Sequence, residues 1–400
     1  VAIDGGYLHI AVEPDSLYPV NLMRIFRIEP PPTDAPVDTS DIFQIRRVRL
    51  DDFRYRMTIF GYEDFRAARQ PVEMAWEDLD VSLDARVHAL KFNGGRMGGV
   101  ADHIRLREKS GFRCSHIAGT ALVGRGEARI TNLRVVEEDS DVYLPLLLFS
   151  YADGYAWENF LDEVRITGKI APSLFALRTL RYFSPFFEGN DAVLQLQNAD
   201  VDGPVRHLSV SNFQFRDTVS RVGGTIDARG DGLPDIDDIR MDVRLSDWRF
   251  NSSGINRFIN HFSGGKKVNL DGVLPETWFI LNSHTHGHID NFSEELSLQS
   301  GIGEMRVNSH LRNIAGGKVA SVDAHEIGID GKNFNASLRV DDPACRLSAD
   351  GGYRYDEALR TRRYDIAGVI GDMDLHAFGI DIHEGLSRAA FSIDGHMEME

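Results

Sequence analysis

The stretch Ile239-Arg-Met-Asp-Val-Arg-Leu-Ser-Asp-Trp-Arg-Phe250 decides the fold class. Ile239, Met241, Val243 and Leu245 alternate with Arg240, Asp242 and Arg244, and a period of two is the pattern of a strand with one wet face. After Leu245 the apolar phase slips by one position, to Trp248 and Phe250. The same slip separates Leu208 and Val210 from Phe213 and Phe215. A one-residue slip inside an apolar alternation is what a β-bulge or a tight turn needs to keep one face inward, so the pattern predicts a bent sheet.

The alternation extends through most of the chain. Phe53, Tyr55, Met57 and Ile59 carry it, as do Val81, Leu83, Ala85 and Val87, the run Phe334–Val340, the run Tyr364–Ile370 and Phe391-Ser-Ile393. Turn signals at Asn93-Gly-Gly95, Asp202-Gly-Pro204, Asp271-Gly272 and Asp330-Gly331 punctuate these runs. Strands that follow one another this closely leave no room for crossover helices, so antiparallel pairing is expected throughout. The exceptions are the proline-rich stretch Glu29–Pro36, read as a stiff linker or external loop, and three short helices. These are expected near Asp153–Glu163, at Ser173–Phe183 before Ser184-Pro185, and at Ser253–Phe262 with Gly264 as its cap. The expected division is leading strands and a proline-rich loop over 1–40, a β section over 41–140, a mixed section with short helices over 141–190, and a continuous antiparallel sheet over 191–400.

Composition narrows the function. The chain has 400 residues, 42% apolar and 26% charged, enough to bury a sizeable core. Its formal charge of −17 repels a phosphate backbone, which removes nucleic acid as a partner. The longest apolar run, Val142–Phe149, is interrupted by Pro145 and falls far short of the roughly 20 residues of a membrane-spanning helix. The chain begins with Val1, carries no signal sequence and stops in what reads as mid-strand, so it is taken as a piece of a longer protein. Cys114 and Cys345, far apart in sequence, offer neither a disulfide framework nor a metal knuckle, and leave the redox compartment open.

The chemistry-bearing clusters each have a plainer reading. His284, His286 and His288 would share one strand face within reach of one zinc ion, but only Asp290 lies nearby in sequence, and polar residues on a solvated strand face account for them. The carboxylate-rich Asp227–Asp238 segment fails the calcium-loop spacing and reads as a hydrated turn. Arg125-Gly-Glu127 and Gly223-Gly224 form no phosphate loop, and Ser110 and Ser184 have no nucleophile-elbow context. No catalytic constellation emerges, so no enzyme activity and no cofactor or metal is expected.

Several short motifs, taken in order, resemble one family. They are Asp52-Phe-Arg-Tyr-Arg56, Glu108-Lys-Ser-Gly-Phe112, Tyr182-Phe-Ser-Pro185, Gly232-Leu-Pro-Asp235, Leu338-Arg-Val-Asp-Asp-Pro343, Leu347-Ser-Ala-Asp-Gly351 and Tyr364–Leu375. Their succession is similar to the periplasmic part of the TamB subunits of the translocation and assembly module, within the AsmA-like proteins and the wider bridge-like lipid-transfer group. That resemblance implies an elongated antiparallel sheet bent into an open trough, lined here by Leu208, Val210, Phe213, Phe215, Met241, Val243, Leu245, Leu338, Val340, Ile366 and Ile370. It implies phospholipid as cargo, conducted across the periplasm between the inner and outer membranes in support of outer-membrane protein assembly and envelope integrity. It further implies an inner-membrane anchor preceding this section, and an outer-membrane barrel partner of the TamA or BamA type met through a following C-terminal domain. No catalytic residue is implied. The helices expected near 155–183 interrupt a plain trough.

An apolar trough spares water contact at about 0.8 kcal/mol per methylene, so a continuous lining lowers the barrier to acyl-chain transfer without a nucleotide. A closed β-sandwich binding module or surface adhesin is the alternative, because a sandwich interior and a groove interior obey the same alternating code.

Overall fold

The computed structural model describes residues 1–13, 21, 42–61, 73–93, 96–152, 154–157, 159–183, 187–235, 238–261, 277–289, 291–301, 303–312, 334–342, 345–356, 361–374 and 388–399. The proline-rich stretch, Gly94-Gly95, Ser184-Pro185, Gly264 and the turns at Asp271-Gly272 and Asp330-Gly331 lie outside the described residues. The protein is all-β, and it divides into two compact units, Val1–Pro204 and Val205–Glu400.

In the first unit, strands β1 (Ala2–Asp4) and β2 (Tyr7–Val12) both flank β3 (Ile42–Ile59). An antiparallel meander then runs through β4 (Asp78–Asn93), β5 (Arg96–Glu108), β6 (Arg113–Val123), β7 (Glu127–Glu137) and β8 (Ser140–Ser150). The expectation of antiparallel pairing throughout fails at its start. Ala2 pairs with Arg49 and Tyr7 with Arg54 in parallel register. Residues 13–41 separate β2 from β3, a connection long enough for the crossover that parallel pairing requires.

Beyond β8, the short strands β9 (Arg165–Ile170) and β10 (Ser173–Ala176) fill one position between β8 and β11 (Val193–Gly203). Pro172, which has no N–H to give the ladder, splits them. The Ser173 hydroxyl bridges the gap, accepting from Tyr143 N at 2.8 Å and donating to Ala171 O at 2.8 Å. The helix expected over 173–183 is therefore corrected to strand β10 followed by a 3-10 segment, Leu177–Tyr182. Its apolar residues satisfy a strand neighbour and a short tight turn, two environments that together mimic helical spacing. The helix expected at 153–163 is a 3-10 turn, Gly154–Trp157, and the single turn α1 (Phe160–Glu163).

The second unit is an antiparallel meander of β12 (His207–Asp217), β13 (Gly223–Asp231), β14 (Arg240–Asn251), β15 (Trp278–His288), β16 (Asn291–Ser300), β17 (Gly303–Arg312), β18 (Phe334–Asp342), β19 (Cys345–Asp356), β20 (Thr361–Asp374) and β21 (Arg388–Met399). Helix α2 (Ser252–His261) follows β14 where a helix is expected. Asn251 caps it, its Oδ1 accepting from Gly254 N at 2.9 Å. A Cβ at Gly254 would lie 2.5 Å from Ser220 O, so only glycine lets the helix approach this closely.

Both phase slips are bulges. The register shifts between Val210 and Phe213 and between Leu245 and Trp248, and Asn212 and Asp247 adopt φ of 53°. A third bulge, between Leu50 and Phe53, places Asp52 at φ 49°. Each bulge residue gives its N–H to a side chain on the next strand: Asp52 N to Asp84 Oδ1 at 2.9 Å, Asn212 N to Asp227 Oδ1 at 2.7 Å, and Asp247 N to Asn282 Oδ1 at 2.9 Å. A bulge removes a ladder partner, and the neighbouring carboxyl or amide supplies a new one.

The Asp52 N–H, followed by the Arg105 guanidinium, holds the Asp84 carboxyl below the usual carboxylate range. Depression of a folded-state carboxylate means stability present above the unfolded pKa, about 4, and lost as pH falls through the folded value. Asp84→Ala is expected to cost about 1–2 kcal/mol at neutral pH, and the deficit relative to wild type should shrink on acidification below about pH 4. Urea denaturation at pH 7 and pH 3 checks this, and a deficit independent of pH would contradict it.

Candidate functional site

Residues paired across a ladder share a face, so the register converts the alternation into rows. One row runs Ile226–Leu245–Ser283–Leu296–Val307–Ala336–Gly351–Ile366 across β13 to β20. A second runs Trp248–Leu281–Leu298–Met305–Leu338–Ala349–Gly368–Ile393, reaching β21. A third joins Phe250–Phe279 through Ser300 and Gly303 to Val340–Leu347–Ile370–Phe391. Leu208 pairs with Gly230 and so aligns with Met241; Val210 aligns through Ala228 with Val243, and Phe213 through Ile226 with Leu245. All the predicted lining positions thus fall on one face of the second unit.

That face is not uniform. Phe215, Trp248, Phe250, Phe258 and Phe279 are each 9% exposed or less. Phe258 of α2 stacks on Phe215 with ring centroids 5.9 Å apart and meets Trp248 edge-on at 5.8 Å. Trp248 in turn lies against Gly224, where a Cβ would stand 2.4 Å from Cδ1, and donates from Nε1 to Thr225 O at 3.1 Å. Phe215 is therefore sealed beneath α2, unlike the half-buried Met241, Val243 and Leu245. On β20 and β21 the same face is open: Ile366, Phe391, Ile393 and Met397 are exposed.

The first unit repeats this arrangement. A row Phe43–Phe92–Met97–Val123–Ala128–Phe149–Ile166 crosses it, with Phe43, Met97 and Val123 exposed. Elsewhere the face is closed by the Leu177–Tyr182 segment. Thr179 Oγ1 donates to the buried Glu137 carboxylate at 2.7 Å, Ser140 Oγ hydrogen bonds with Thr179 at 3.0 Å, and Ala176 N donates to Ser140 Oγ at 3.0 Å. Cys114, a free and buried thiol, lies on this ladder opposite Glu137, and burial pushes its pKa up, which leaves it unreactive.

The opposite face is a lattice of cross-strand ion pairs. Arg54 binds Asp80 at 2.8 and 2.6 Å, Arg134 binds Asp141 at 2.8 and 2.6 Å, and Arg388 binds Asp372 at 2.6 and 2.7 Å. In each pair the guanidinium holds the carboxyl below its ordinary range. Exposed pairs of this kind add little to stability because solvent screens them, so their main effect is to keep that side of the strands hydrated.

His284, His286 and His288 stand on this polar face, opposite Arg244, Asp242 and Arg240. His284 Nε2 lies 2.9 Å from Asp242 Oδ1, His288 Nε2 lies 2.7 Å from Asp238 Oδ1, and the His284 and His286 rings stack at 4.8 Å. The carboxylates missing from the local sequence come from before and within β14. Among the described residues no group of three His, Cys, Asp or Glu side chains is placed to hold a metal ion, and no helix is long and apolar enough to cross a membrane.

Sequence reasoning missed one polar feature of the apolar face. Thr285 and Glu294 pair across β15 and β16 in line with Val243, and the Thr285 hydroxyl donates to Glu294 Oε2. Glu294-Glu295 falls in a stretch of weak alternation, so only the register reveals which carboxylate faces which way. Comparisons with protein-family models, with curated proteins and with solved structures each find no match.

Proposed function

We propose that this chain is a periplasmic section of an inner-membrane-anchored protein of the AsmA-like, TamB type, and that its apolar sheet face conducts phospholipid acyl chains between the inner and outer membranes. In that setting it supports outer-membrane protein assembly and envelope integrity alongside a barrel partner of the TamA or BamA type. The observation that carries this reading is the continuity of one apolar face through the rows from β13 to β21, with Ile366, Phe391, Ile393 and Met397 left exposed. A closed sandwich would bury those side chains. Exposed apolar surface of this extent costs solubility unless something apolar occupies it. On the other side of these strands the Arg388–Asp372 and Arg339–Asp350 pairs keep the sheet hydrated.

A photo-crosslinking residue at position 243 tests the reading. The protein, purified in mild detergent, is expected to retain phospholipid detectable by mass spectrometry of its lipid extract, and the probe replacing Val243 should label it. The probe replacing Arg244, on the polar face, should not. Absence of phospholipid, or equal labelling at both positions, would sink the proposal.

A further inference from the structure

Antiparallel order brings the start of β3, the end of β4, the start of β5, the end of β6 and the start of β7 to one end of the first unit. Apolar side chains stand exposed there on both faces of the sheet. Phe43, Met97 and Val123 are 61%, 48% and 38% exposed on one face, while Leu122, 37% exposed, belongs to the Gln44–Lys91–Gly98–Leu122 row of the other. Among them are four exposed cations, Arg46, Lys91, Arg96 and Arg125, none of which makes an ion pair with a described residue. The described carboxylate at these strand ends, Glu127, is taken by Arg129 at 2.8 Å. We infer that this end of the first unit docks on a bilayer surface containing anionic phospholipid, its apolar side chains entering the acyl boundary and its cations binding headgroup phosphates.

The two-sided exposure selects a bilayer. An acyl chain running along one face needs no apolar residue behind it, whereas a tip that enters the interface meets hydrocarbon on both faces. Phe43 and Phe92 lie 5.8 Å apart between ring centroids, so the exposed ring stands on a second one and not alone. The cations are placed to stay at the headgroups. Arg96 runs over Gly124, where a Cβ would stand 3.5 Å from its Cγ, which brings it beside the β6–β7 turn. That turn is closed by Gly124 N donating to Glu127 O at 2.7 Å and by the Tyr151 hydroxyl donating to Gly124 O at 2.6 Å, and it holds Arg125 at its tip. Long cationic side chains keep their stems on apolar surface and their heads in water, and a guanidinium is a fork of donors matched to phosphate oxygens. In a chain of net charge −17 these ends are a local excess of positive charge, which orients the protein toward an anionic surface. The carboxylates of α1, Asp162 and Glu163, follow β8 and are not among these ends. The opposite end of the same strands also exposes aromatic rings, Trp76 stacked on Phe183 at 6.0 Å, but Glu73, Glu77 and Asp78 flank that tryptophan in sequence and disfavour an anionic surface. This contact is additional to the acyl-chain path and is tested apart from it.

Co-sedimentation with phosphatidylcholine vesicles containing phosphatidylglycerol supplies the test. The protein is expected to pellet with them and to stay in solution with phosphatidylcholine alone. Raising salt from about 0.1 to about 1 M, which shortens the Debye length from about 10 to about 3 Å, should release it. Arg96→Gln combined with Arg125→Gln should weaken binding about tenfold. Phe43→Gln combined with Met97→Gln should weaken it several-fold, each double variant keeping wild-type circular dichroism, while Trp76→Ala should bind as wild type. Equal binding to neutral vesicles, no binding to either, or affinities unchanged in both double variants would overturn the inference. Binding to heparin but not to vesicles would also overturn it, by assigning the cations to an acidic macromolecule. Phospholipid labelling through a probe at position 243 is read on the same preparation. Label without co-sedimentation overturns bilayer docking and leaves the acyl-chain path standing, and co-sedimentation without label does the reverse.

Discussion

Replacing Phe258 with alanine is expected to destabilise the second unit by about 3–5 kcal/mol, the range for truncating a buried aromatic side chain. Phe258 is the residue by which α2 holds the aromatic cluster, stacked on Phe215 and edge-on to Trp248. Its removal leaves a cavity under a ten-residue helix, and helices of that length are marginal in water without tertiary packing. The Asn251 cap contributes about 1 kcal/mol and cannot hold the helix alone. Because Trp248 is otherwise sealed against Gly224 and Phe215, undocking of α2 should expose the indole. Urea denaturation followed by tryptophan emission reads both effects, as a lower midpoint and a red shift before global unfolding. A loss under about 1 kcal/mol with unchanged emission would mean that α2 does not seal this end of the apolar face.

Most strands of the second unit and two of its bulges were legible because each is encoded locally. The step from Leu245 to Trp248 and that from Val210 to Phe213 mark positions where Asp247 and Asn212 turn left-handed, and Asn and Asp tolerate that conformation better than bulkier residues. Helix α2 was legible from its own spacing. What stayed hidden depends on partners far away in sequence. The parallel pairing of β1 and β2 with β3 rests on a long connection whose return path has no local signature. Ser173–Phe183 read as a helix because strand β10 and its 3-10 turn abut at Ala176, with no glycine or proline to mark the change. Glu294 faces inward because the register sets it opposite Thr285 on the neighbouring strand. Alternation gives a residue's phase within its strand, whereas the register decides which neighbours it acquires.

The same register supplies the sharpest test of how the apolar face works. Val243 is half-buried in a row with Ala228, Thr285 and Glu294. The Glu294 carboxylate already sits on that face half-buried, accepting from the Thr285 hydroxyl, and a charged carboxylate that is half-exposed there is one that water reaches. A charge in a sealed core costs several kcal/mol, whereas one on a wetted face is hydrated and costs little. Val243→Asp is therefore expected to leave the protein folded, with a loss of about 1–2 kcal/mol from missing apolar burial, while phospholipid retention falls at least tenfold. An acyl chain passing a carboxylate must strip its water, and that penalty recurs with every chain. Arg244→Asp, on the polar face, should change neither quantity. Phe215→Asp, by contrast, places the charge beneath α2 and should unfold the second unit. If Val243→Asp unfolds the protein as Phe215→Asp does, the two positions share one sealed interior, and the face around β14 is the core of a closed module. If Val243→Asp folds and binds phospholipid as wild type, the lipid path lies elsewhere.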